Sequence, residues 1–217
     1  MTDLRTLAEA AARDGWAEAS GTLQEVRSQA NALGWAEMPH RRGEPAATVL
    51  HPRTQETAHP HSLSATYGLG AQPLHTDGAH LPEPPDFLVL ASEQGSTTPT
   101  LLWRSRTGSA HATPPGAAFR HGMFLVRNGR DSFFSPAITH GRHRFDPGCM
   151  TACDSRAQQI VDFFRDQLGS ATAHDWPPGP QLLIIDNRCS LHARAALSPG
   201  DEQRSLERVA FRVGSTP

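Results

Sequence analysis

The chain has 217 residues, 37% of them hydrophobic, and a formal net charge of -2. A nearly neutral chain argues against a dedicated nucleic-acid binder, no apolar run is long enough for a membrane span, and the N-terminus lacks a secretory pattern, so a cytoplasmic location is expected. All 20 basic residues are arginine, which excludes Schiff-base chemistry on lysine and a P-loop lysine.

That length predicts one domain over residues 1–217, with a helical N-terminal part over about 1–38. Thr2 or Asp3 can cap a first helix with Leu4, Leu7, Ala8 and Ala11 on one face. A second helix fits Thr22 to Leu33, with Leu23, Val26 and Ala30 at helical spacing and Gly34 as its stop. From Pro39 to Pro73 the chain is rich in Pro, His, Thr and Ser, and it reads as irregular with one strand near Ala47 to Leu50.

Short apolar runs follow. Phe87–Leu90, Thr100–Trp103, Met123–Val126 and Ser132–Phe134 read as strands, and Asn128-Gly129 is a hairpin signal. Asp154 caps a helix over Ser155 to Leu168. The Trp176-Pro-Pro-Gly-Pro180 turn leads into a strand from Gln181 to Ile185, and the last strand runs from Leu206 to Val213. Many short strands with a few helices predict a mainly β fold with flanking helices, a double-stranded β-helix or jelly roll. Such a fold brings distant residues together at one open end.

Three residues give that end a chemistry. In an extended segment His75 and Asp77 point to one side, and His192 closes a later strand-turn segment. Two imidazoles and a carboxylate suit Fe(II), Mn(II) or Co(II) and leave positions open. His-x-Asp alone is a weak signal in a chain with 12 histidines. His80 reads as a pocket or loop residue. Asp186 and Asn187 read as turn chemistry, with orientation of the neighbouring ligand as the alternative.

The flanking sequence carries a resemblance. Gln72-Pro-Leu-His75-Thr-Asp77, then Thr100-Leu-Leu-Trp103, then Trp176-Pro-Pro-Gly-Pro-Gln-Leu-Leu-Ile-Ile-Asp186-Asn187-Arg188-Cys-Ser-Leu-His192, then Arg204-Ser-Leu-Glu-Arg208, resemble the motifs of the TauD/TfdA-like Fe(II)/2-oxoglutarate dioxygenases over roughly residues 67 to 213. The resemblance implies that His75, Asp77 and His192 hold iron, and that Arg204 and Thr100 bind the far carboxylate of 2-oxoglutarate. It implies O2 as the oxidant and hydroxylation of an unactivated C–H bond, with release of succinate and CO2. Arg208 matches an arginine that in some members reaches an anionic substrate group. Arg127 lies in a hairpin turn, with a substrate contact as the alternative reading. The span between Asp77 and His192 is short for the family. A trimmed covering insertion suits a carrier-tethered substrate, while a free amino acid or small acid fits equally. Oligomeric state is left open. The competing readings are a non-catalytic or degenerate metal-binding jelly roll acting as sensor or partner, and a cupin-type metalloenzyme that does not use 2-oxoglutarate.

Overall fold

Phe87–Ser92 is buried along its whole length, so this strand needs a layer against each face. A computed structural model describing residues 3–41, 43–104, 116–129 and 131–214 shows those layers. In chain order the elements are α1 (Leu4–Asp14), β1 (Trp16–Ser20), α2 (Leu23–Ala32), β2 (Ala36–Met38), β3 (Thr48–Leu50), α3 (Leu63–Tyr67), β4 (Phe87–Ser92), β5 (Ser96–Arg104) and α4 (Gly116–His121). Then come β6 (Met123–Asn128), β7 (Asp131–Pro136), β8 (Ile138–Thr139), β9 (Arg142–His143), β10 (Met150–Ala152), α5 (Ser155–Gln167), β11 (Thr172–Trp176), β12 (Gln181–Asp186), β13 (Ser190–Arg194) and β14 (Leu206–Arg212).

A six-stranded antiparallel sheet runs β1-β12-β4-β14-β2, with β3 also on β14. A three-stranded sheet, β11-β5-β13, packs on it, and a second, β10-β6-β7, lies outside that. The strand period of two sorts the side chains into layers. Phe87, Val89, Ala91, Leu182, Ile184, Val209 and Phe211 face α1 and α2. Their alternates, Leu88, Leu90, Leu183, Ile185, Leu206 and Ala210, meet Leu102 and Trp176 between the two sheets. The back of the smaller sheet, through Trp103, Leu191 and Ala193, packs with α4, α5 and the outer sheet. A register slip by one residue in β4 or β12 would exchange the two layers.

The helices start where their caps predict. Asp3 accepts from the Thr6 amide, Thr22 and Glu25 form a reciprocal capping box, and Asp154 accepts from the Ala157 amide. Thr2 lies outside the described residues. The structure adds elements to those proposed from the sequence: the strands β1, β2, β8 to β11 and β13, the helix α4, and a one-turn helix, α3, inside the stretch read as irregular. Among the described residues no helix is long and apolar enough to cross a membrane.

Candidate metal centre

On β13 the residues Leu191 and Ala193 point into the outer core, so His192 and Arg194 face the space between the sheets. His75 follows the irregular stretch 71–74 and pairs with His192 as an isolated antiparallel bridge. The His75 amide donates to the His192 carbonyl at 2.9 Å, and the His192 amide returns a bond at 3.0 Å. The two rings lie side by side, with centroids 4.2 Å apart. Nδ1 of His75 is 3.0 Å from the Pro73 carbonyl, which only accepts, so Nδ1 donates this bond and fixes the ring orientation. Burial, then the neighbouring His75, pushes the proton affinity of His192 well below the usual histidine range. Its buried Nδ1 has no hydrogen-bond partner. His192 is therefore set up as a neutral donor.

Asp77 lies in a turn rather than in the extended segment its spacing predicts. Asn187 holds its backbone from both sides. The Asp77 amide donates to Asn187 Oδ1 at 2.9 Å, and Asn187 Nδ2 donates to the carbonyls of Asp77 and Pro85 at 3.0 Å each. Gly78 completes the turn at φ +67, where a Cβ would stand 2.8 Å from Cδ of Pro85. The Asp77 carboxylate is buried, with Arg208 Nη1 3.3 Å and His40 Nδ1 3.7 Å from its Oδ1. Burial pushes this carboxyl up. Arg208, then His40 and the two imidazoles in their protonated forms, outweigh it and keep the group below the usual carboxylate range. Burial lowers His40 to about 4, against the pull of Asp77. His80 donates from Nε2 to the His40 carbonyl at 2.9 Å, so it acts as a loop brace.

Among the described residues no three His, Cys, Asp or Glu side chains are already gathered to hold an ion. The two imidazoles are together, while the carboxylate is engaged by Arg208 and lies 3.7 Å from His40 Nδ1. The donor chemistry, two imidazoles and one ionised carboxylate, nevertheless fits a ferrous ion, and His192 Nδ1 is a buried nitrogen without a partner. His75, Asp77 and His192 are the residues that would hold it.

Thr100 faces the same inter-sheet space. It lies across from His174 on β11 and from Arg194 on β13, and its Oγ1 accepts from Trp176 Nε1 at 3.0 Å. Arg204 lies two residues before β14. Its position is fixed by Asp201, whose carbonyl accepts from the Arg204 amide at 2.9 Å. The Asp201 carboxylate accepts in turn from Thr98 N and Oγ1 at 2.6 Å each and from Ser96 Oγ at 2.8 Å. Burial pushes Asp201 up, and these hydrogen bonds outweigh it and bring it down to about 2. Arg204 itself is buried, and its Nε and Nη2 have no partner. Burial, with Arg194 adding repulsion against the pull of Asp201, lowers it to about 10. A buried guanidinium with unpaired donors is costly unless an anion completes it.

Of the remaining candidates, Arg208 is brought to the site, on the β14 face that also carries Leu206 and Ala210. Arg127 is exposed on β6, on the face of the outer sheet away from the buried Phe124 and Val126. Among the described residues no side-chain bond joins it to the others, and Arg130 lies outside them. Sequence reasoning overlooked His40, which no motif marks. It also read Asn187 mainly as turn chemistry, although its place between an apolar strand and His192 was a signal for the clamp it forms.

No protein-family model matches the sequence, and no curated protein matches it. Solved structures do resemble it. An asparagine oxygenase in complex with Fe(II), 2S,3S-3-hydroxyasparagine and succinate aligns with a TM-score of 0.73 at 16% identity, over 96% of this chain and 77% of that one. The non-heme iron oxygenase OrfP, in complex with Fe, succinate and (3S)-hydroxy-L-Arg, aligns at 0.69 and 18%, over 95% and 78%. PvcB from Pseudomonas aeruginosa aligns at 0.63 and 16%, over 96% and 79%. The chain thus has the mainly β fold shared by this group of iron oxygenases.

Proposed function

We propose that the chain is an Fe(II)- and 2-oxoglutarate-dependent oxygenase that hydroxylates an unactivated C–H bond of a small polar metabolite. The observation that carries this reading is Arg204, a buried cation with two unpartnered nitrogens, in the same fold as the paired imidazoles of His75 and His192. A carboxylate that accepts two parallel N–H bonds would satisfy it. Thr100 already accepts from Trp176, so its own hydrogen is left to donate to the same carboxylate. The inter-sheet layer of Leu88, Leu102, Leu183, Leu206 and Trp176 keeps water from that end. Bound iron, with 2-oxoglutarate and O2, supplies the oxidising chemistry and releases succinate and CO2.

We read the two packed sheets as a double-stranded β-helix and residues 1–217 as one domain. Arg208, beside Asp77, is the residue placed to take a carboxylate of the substrate. The hydroxylated asparagine and arginine bound in the neighbours favour a free amino acid over a carrier-tethered substrate. The site residues and a cytoplasmic location belong to the same proposal. Arg204 speaks against a non-catalytic jelly roll and against a cupin-type enzyme without 2-oxoglutarate, because neither needs a buried cation there.

The test is Fe(II)-dependent conversion of 2-oxoglutarate to succinate, together with thermal stabilisation by 2-oxoglutarate, in the wild type and in R204M. The wild type is expected to turn over and to be stabilised. R204M is expected to lose both responses while its own melting temperature does not fall, since the substitution removes an unpaired buried charge. A wild type that 2-oxoglutarate neither stabilises nor serves as co-substrate would refute the reading.

A further inference from the structure

Residues 68–75 form a strap that crosses beside β13 and ends on His75. We propose that Arg194 is a positioning residue that holds this strap on β13 and so sets the His75 imidazole beside that of His192. The proposal rests on the oxygenase reading, because it assigns those imidazoles to a metal.

One terminal nitrogen of Arg194, Nη2, donates to the carbonyl of Gly68 at 2.6 Å and to that of Gly70 at 2.7 Å. Charge-assisted bonds of this kind are roughly twice as strong as neutral ones. The segment they hold has little else at its start. The preceding helix α3 buries none of its residues, and stretch 71–74 has no regular structure. Backbone bonds continue the line of attachment. The Gln72 amide donates to the Arg194 carbonyl at 2.9 Å, the Leu197 amide to the Leu69 carbonyl at 2.9 Å, and His75 and His192 then close their bridge. Leu74 is the one fully buried apolar anchor in the strap.

A filler role does not account for Arg194. Its Nε is buried without a partner, and among the described residues no carboxylate pairs with it. A half-buried cation without an anion costs stability that an apolar side chain of like size would spare. What the guanidinium adds is a grip on two carbonyls that an apolar chain cannot make. Because it stands two residues from His192 on the same strand, that grip ties the two imidazole-bearing segments directly to each other.

The experiment compares full-length wild type, R194M and R194K by hydrogen exchange and by Co(II) binding, with no activity measurement. In R194M the amides of Gln72 and His75 are expected to exchange about tenfold faster, while β12 is unchanged. The Co(II) dissociation constant is expected to rise by about tenfold, with an altered Co(II) absorption band. R194K, which keeps a cation able to donate to a carbonyl, is expected to fall between. Unchanged strap exchange overturns the proposal. Faster exchange with an unchanged Co(II) constant also overturns it, because the strap would then be held without governing the ligand. If R194M does not fold, R194K decides alone, and an unaltered Co(II) constant in it counts against the role. An H75A chain that binds Co(II) like the wild type would overturn the metal reading itself, a result distinct from a defect confined to the Arg194 variants.

Discussion

Replacing Asn187 with alanine tests the clamp on Asp77. Asn187 is 1% exposed and makes three hydrogen bonds of 2.9 to 3.0 Å, to the amide and carbonyl of Asp77 and to the carbonyl of Pro85. Alanine leaves the Asp77 amide buried without an acceptor, which costs about 1–3 kcal/mol. The two carbonyls add less, since a carbonyl with an unused lone pair is better tolerated than an orphaned amide. A total of about 2–4 kcal/mol is large against a domain stability of about 5–15 kcal/mol. With a urea slope of about 2 kcal/mol per molar, the unfolding midpoint should drop by about 1–2 M. The assay is urea unfolding followed by circular dichroism, with Co(II) titration of the folded chain. Metal affinity should fall about tenfold or more, because the loop presenting the carboxylate is freed. Asn187→Asp keeps the acceptor for the Asp77 amide but turns an anion toward two carbonyls, so it should be no better than alanine. A midpoint that moves by less than about 0.3 M, or less than about 0.6 kcal/mol, would refute the argument that these bonds hold the turn.

Two further outcomes follow from the same geometry. Gly78→Ala places a Cβ 2.8 Å from Pro85 in a backbone at φ +67, so the melting temperature should fall by several degrees, from a cost of about 1–3 kcal/mol; an unchanged melting curve would mean that the turn relaxes freely. His143 is buried between Trp103 and Phe119, its Nδ1 unpartnered, and burial lowers it to about 4 from 6.5. Between those values the unfolded chain binds a proton that the folded chain refuses, so this group makes stability fall as pH drops from about 6.5 and level off near 4. His143→Leu, a similar volume without a titrating ring, should flatten that limb in urea midpoints measured from pH 7 to 4. Parallel curves for variant and wild type would count against the assignment.

Much of the molecule was legible in the chain itself. The apolar runs of β4 and β12 announce strands, and Asp3, Thr22 with Glu25, and Asp154 announce helix starts, because period and capping act over a few residues. The residues His75, Asp77, His192, Thr100, Arg204 and Arg208 were marked in the sequence by motifs that resemble a known family, and their roles belong to the proposal. What folding decided is how they meet. Strands β11 and β13 are five residues each and carry polar residues on the face turned to the site, so neither shows the apolar run that marked β4 and β12. The clamp of Asn187 on Asp77 joins groups 110 residues apart, and Arg204 is placed by Asp201 and Thr98. Such contacts depend on sheets closing on one another. Their energy comes from burying charges and hydrogen-bonding groups together, and a local pattern of residues does not encode which distant groups will be the partners.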